Sequence, residues 1–111
     1  MVLATGLGGL AQNLVPNPSF ESSFDCCVTE NSSASWTHYS ESPDYFNSCN
    51  STWCSLFSVP MNSFGYQNPR NGEGYYGLVT YVKGSEFHEI IGTPLNTTLT
   101  IGTKYFLSMY V

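Results

Sequence analysis

One stretch constrains this chain more than any other. Residues 75–82 (YYGLVTYV) are aromatic and β-branched, Lys83-Gly84-Ser85 interrupts them, and 86–91 resumes an apolar and polar alternation. Aromatic and β-branched residues suit a pleated, half-buried surface, and a glycine between two such runs permits a reversal. The pattern therefore predicts a hairpin over residues 75–91. A third run, 104–111 (KYFLSMYV), places Tyr105, Leu107, Met109 and Val111 on one face and Phe106 and Tyr110 on the other. Such a two-sided strand belongs inside a sheet, so its next neighbour is expected outside the chain and the domain is expected to be incomplete. Ser35-Trp36-Thr37-His38-Tyr39-Ser40 predicts another short strand, and the segment LVPNPSFE, with its two prolines, an edge or entry strand near the start. Between 41 and 74 the chain is dense in Pro, Asn, Ser and Gly, which reads as a long functional or disulfide-pinned loop.

Composition agrees with strands. Of 111 residues, 15% are aromatic and only 10% charged, which places one small all-β domain ahead of helical or disordered alternatives. Three basic residues and a net charge of −5 exclude a phosphate backbone or an anionic membrane as the natural partner, leaving glycans or protein surfaces. Residues 1–11 (MVLATGLGGLA) are apolar and uncharged, and end in Gly9-Leu10-Ala11, like the end of a secretory signal peptide; they are too short to span a bilayer. Residues 12–111 then form the exported domain. Four cysteines, Cys26, Cys27, Cys49 and Cys54, suit two disulfides in such a compartment. Adjacent residues point to opposite sides of an extended chain, so Cys26 and Cys27 are expected to bridge separately to the 49/54 pair. The lack of a C-x-x-C knuckle argues against zinc.

No nucleophile elbow, zinc-protease helix, phosphate loop or dinucleotide fingerprint occurs. None of the eight acidic residues sits in a sequence context that marks a glycosidase pair. His38 and His88 read as partly exposed strand residues. The chain is therefore not expected to be an enzyme. Its aromatic residues carry more information, because flat rings stack on the C–H faces of sugars while amides and Arg reach the hydroxyls. Among Trp36, Tyr39, Tyr45, Phe46, Trp53, Phe57, Phe64, Tyr66, Tyr75 and Tyr76, many of them in or beside the long loop, Trp36 is expected in the core. Trp53 and Tyr45 are the expected stacking residues, and Asn68 and Arg70 the expected hydroxyl readers. Three N-x-[ST] sequons, at Asn31, Asn50 and Asn96, carry little weight in so Ser, Thr and Asn-rich a chain.

The segments NLVPNPSFE, PDYFNSC, VPMNSFGYQNPRNGEGYYGL and PLNTTLTIGTKYFLSMYV together resemble the N-terminal domain of secreted Bacteroidetes surface proteins, a domain often joined to gliding-motility, type IX sorting or OmpA-like regions. The entry and the ending are also similar to galactose-binding-like jelly rolls, the fold of many carbohydrate-binding modules. The resemblance implies a β-sandwich jelly roll of about eight strands. It implies a non-catalytic, secreted or cell-surface module that binds carbohydrate or mediates adhesion, with further domains of the same protein as partners. A structural spacer or assembly domain without a ligand is the alternative. No cofactor is implied beyond a structural calcium near the first strand, where Glu21 matches and the usual partner acid falls past Val111.

Overall fold

The computed structural model describes residues 12–23, 33–40, 42–50 and 55–111. Among them all regular structure is strand or single 3-10 turns: β1 Thr37–Ser40, β2 Asp44–Asn47, β3 Met61–Asn62, β4 Gly65–Tyr66, β5 Gly74–Gly77 and β6 Ile90–Gly92, with 3-10 turns at Ser48–Asn50 and Ser55–Phe57. The described part of the chain is all-β. The three two-stranded antiparallel sheets among the described residues are nested: β3–β4 lies within the loop closed by β2–β5, which lies within the loop closed by β1–β6.

The core is organised on the β2–β5 ribbon, in register Tyr45↔Tyr76 and Phe46↔Tyr75. Successive side chains of a strand alternate between faces, so each face receives one directly opposed aromatic pair. On one face the Tyr45 and Tyr76 rings are 5.3 Å apart, and Tyr76 meets Phe20 edge-on at 5.2 Å and His38 at 5.6 Å. Trp36 packs on Phe20 at 4.9 Å. On the other face Phe46 stacks on Tyr75 at 5.1 Å and meets Phe57 and Phe64 at 5.9 Å each. Tyr45 and Phe46 are the buried centre, 2% and 3% exposed. The glycines of β5 are required by this packing: a Cβ at Gly77 would collide with the Phe46 ring, and one at Gly74 with the Tyr45 hydroxyl.

Several expectations are corrected. The hairpin over 75–91 does not form as one ladder. β5 ends at Gly77 and pairs backwards with β2, and β6 pairs with β1. What remains of the hairpin is its tip, with a Val82↔Ser85 bridge around Gly84 at φ +79°, and a link in which the Glu89 amide donates to the Val79 carbonyl at 2.8 Å. Two aromatic faces on one short ribbon bury more rings than a hairpin closed on itself, and that packing overrides local pairing. The stretch expected as a long loop, 41–74, accordingly holds among its described residues β2, β3, β4, the start of β5 and two 3-10 turns.

The entry segment is not a strand. Asn17 (φ +43°) and Phe20 (φ +64°) both take left-handed conformations, incompatible with an extended run. Asn17 instead acts as a staple. Its Nδ2 lies 2.9 Å from both Ser33 Oγ and the Ala34 carbonyl, its Oδ1 accepts from the Ser22 amide at 3.0 Å, and its carbonyl accepts from Trp36 Nε1 at 3.0 Å. Phe20, unusual for so bulky a residue, is held in place by the Trp36 and Tyr76 rings. The strand expected over 104–111 has no ladder partner among the described residues, and Phe106 and Leu107 are 99% and 85% exposed.

Candidate functional site

The Tyr45 hydroxyl donates to the Phe20 carbonyl at 2.8 Å and accepts from Asn47 Nδ2 at 2.9 Å, while Asn47 Oδ1 accepts from the Cys49 amide at 2.9 Å. Burial pushes the Tyr45 phenol up, against the opposing hydrogen bond from Asn47. A ring enclosed in this way offers no face to a sugar, so Tyr45 is a core residue and not the stacking residue its polar neighbourhood implied. Trp53 lies outside the described residues, as do Cys26, Cys27 and Cys54. Cys49 is one half of a disulfide.

Glu21, the residue matched to a calcium site, has both carboxylate oxygens in use. The Glu73 amide donates to one at 2.8 Å and the Gly74 amide to the other at 3.2 Å. Gly72, at φ +67°, turns the chain beneath that carboxylate, where a Cβ would strike it. The two sequence segments PNPSFE and NPRNGEG therefore meet through a side-chain clamp. Among the described residues no three of His, Cys, Asp and Glu lie together as a metal site.

Asn68 and Arg70 are exposed and do lie together. They line an open groove of about 550 Å³ with Tyr75, Tyr76 and Tyr110. The Arg70 guanidinium sits 4.4 Å above the Tyr110 ring, a cation–π contact that ties the C-terminal run back to this segment.

A second groove, about 370 Å³, opens on the other side of Gln67 and Tyr75. Its floor is the Phe46–Tyr75 stack and its rim is the β3–β4 hairpin. Asn62 builds that rim: its Oδ1 accepts from the Phe64 amide at 3.0 Å, its Nδ2 donates to Tyr75 Oη at 2.9 Å, and Gly65 (φ +138°) turns the chain into β4. The result presents Phe64 and Tyr66 outward, 73% and 64% exposed. Gln67, exposed beside them, donates its backbone N–H to the Pro60 carbonyl at 2.7 Å and its side-chain Nε2 to the Asn68 carbonyl at 2.9 Å. The sequence reading included Phe64 and Tyr66 among its rings without singling them out. Their signal was the run Asn62-Ser63-Phe64-Gly65-Tyr66, two aromatics either side of a glycine, which suits one short hairpin.

Asp44 and Glu89 line the same groove. Glu89 is 8% exposed, and its Oε2 accepts from the Val79 amide at 2.7 Å. Burial raises the Asp44 carboxyl above its ordinary range, the Glu89 charge adds to the rise, and His38 partly offsets it.

No helix among the described residues is long and apolar enough to cross a membrane. No family model, curated protein or solved structure matches this chain.

Proposed function

We propose that this chain is a non-catalytic, exported carbohydrate-binding or adhesive module, and that its ligand lies in the groove rimmed by β3–β4. One observation carries the reading: two outward-facing rings, Phe64 and Tyr66, stand beside an open groove with Gln67 at hand. Large exposed rings cost hydration, and rings flanked by amides suit pyranose faces. The ribbon beneath is held by aromatic packing on both faces, so the rim is rigid before any ligand arrives. In this reading the nested antiparallel pairs belong to a jelly-roll sandwich of the galactose-binding-like kind, at the cell surface, beside other domains of the same protein.

The test is a glycan array followed by titration calorimetry. Each ring stack contributes around 1 kcal/mol beyond area burial, so a two-ring site binds in the micromolar to millimolar range. Tyr66→Ala should weaken a responsive glycan about fivefold or more with the melting temperature little changed, because Tyr66 is 64% exposed. Phe64→Ala should weaken it similarly but with some loss of stability, since Phe64 also meets Phe46 edge-on. If the chain binds no glycan, the spacer reading replaces this one.

A further inference from the structure

The groove's wall has a charge that a neutral sugar does not need. Two of its lining residues, Asp44 and Glu89, are acids, and none is basic. They are brought together by topology. Asp44 opens β2 opposite Gly77, and the link from Val79 to Glu89 carries the Glu89 side chain to the same wall. Glu89 cannot swing away, because its carboxylate holds the Val79 amide while its own amide holds the Val79 carbonyl. The Phe64, Tyr66 and Tyr75 rings line the same groove, and the faces of such rings carry negative quadrupolar charge that attracts cations. The chain as a whole, at −5, draws cations towards it.

We propose that this groove selects sugars bearing a protonated amine, with the ring stacked on Phe64 or Tyr66 and the ammonium directed at Asp44 and Glu89. The inference rests on the carbohydrate reading above and adds the ligand's charge to it. An ammonium there would offset the cost of keeping the Asp44 carboxylate charged where it is buried and beside Glu89, adding to the partial offset that His38 supplies. A uronate would meet two like charges, and an N-acetyl group would replace the donor cation with a neutral amide.

Four oligosaccharide series distinguish the outcomes: glucosamine, glucose, N-acetylglucosamine and galacturonate oligomers of equal length. They are titrated into the full chain at about pH 6, where carboxylates are mainly ionised and a sugar amine is charged. The amine series should bind about tenfold tighter than the glucose series, galacturonate should bind weakest, and added salt should shrink the amine advantage. Asp44→Asn should bring the amine-to-glucose affinity ratio close to one, and Phe64→Ala should weaken both series. If Asp44→Asn fails to fold, the salt series on the unaltered chain decides: an amine advantage that survives high salt overturns the proposal. Equal binding of amine and glucose series also overturns it while leaving the carbohydrate reading intact. Binding of none of the four, with none on the array, removes the carbohydrate reading and this inference together.

Discussion

Replacing Gly72 by Ala tests the clamp between the entry segment and the β5 turn. Gly72 has φ +67°, and an alanine in that region costs about 1–2 kcal/mol on backbone grounds alone. Its Cβ would also occupy the space of the Glu21 carboxylate. The carboxylate is the far end of a flexible side chain, so it can move, but only by releasing the Glu73 and Gly74 amides at 2.8 and 3.2 Å. Hydrogen bonds to a charged group contribute roughly 1.5–3 kcal/mol each when buried. Glu21 is exposed, so a discounted total of about 1–2 kcal/mol for the pair is appropriate. Gly72→Ala should therefore cost about 2–4 kcal/mol, and Glu21→Ala about 1–2. The two losses share the same hydrogen bonds, so the double variant should be less destabilised than their sum by roughly 1–2 kcal/mol. The assay is urea unfolding of all four chains under non-reducing conditions, followed by tryptophan fluorescence, to which Trp36 against Phe20 contributes. If Gly72→Ala costs the same within about 0.5 kcal/mol whether or not Glu21 is present, the clamp reasoning is wrong.

Tyr45→Phe should cost about 1–3 kcal/mol, because it strands the buried Asn47 Nδ2 and the Phe20 carbonyl together; a melting temperature within error of the parent's would return Tyr45 to candidacy as a surface ring. Asp44 holds its proton more tightly folded than unfolded, so the native state binds more protons between the two pKa values. Stability should then fall as pH rises through that window, starting near the ordinary carboxylate value and reaching its full loss above the folded pKa. In Asp44→Asn this slope should vanish, and parallel stability curves for the two chains from about pH 3.5 to 7 would contradict the assignment. Leu107→Lys should reduce self-association of the chain in sedimentation without lowering its melting temperature, since Leu107 is 85% exposed; unchanged sedimentation would show that the run is not a sticky edge.

What the sequence disclosed was local. Thr37–Ser40 and the start of 75–82 were readable as strands from their residue types, although the first was expected from Ser35, which takes φ +73° in a turn. The turn at Gly84 was readable because glycine marks a positive φ. The partnerships were not readable. DYFN at 44–47 is four residues long and set among Ser, Asn and Cys, so nothing nearby signals a strand; it becomes one by laying Tyr45 and Phe46 against Tyr76 and Tyr75 thirty residues on. The same blindness misplaced Tyr45, since a polar neighbourhood in sequence says little about a neighbourhood in space. PNPSFE was seen as a segment of note, but its role as a staple depends on two left-handed residues, Asn17 and Phe20, and phenylalanine is a poor predictor of that conformation. Asn68 and Arg70, expected as hydroxyl readers, are exposed along the other groove, whereas the pairing of Asp44 with Glu89 in the proposed one depends on two strands pairing elsewhere and left no trace in spacing.

The nesting of the three strand pairs has a consequence for how the chain reaches this arrangement. Joining the ends of a loop costs conformational entropy that grows with the logarithm of its length. Once β3–β4 closes, the stretch that β2 and β5 must bridge is effectively shortened, and once those meet, β1 and β6 are brought near each other without a further search. The order is also that of synthesis: the inner ribbon is complete when Gly77 has emerged, while β1 waits for Gly92. In reverse, the outer pair can open while the aromatic ribbon stays shut. Amide exchange should therefore proceed inward, with Thr37–Ser40 and Ile90–Gly92 losing protection while Asp44–Asn47 and Gly74–Gly77 retain theirs.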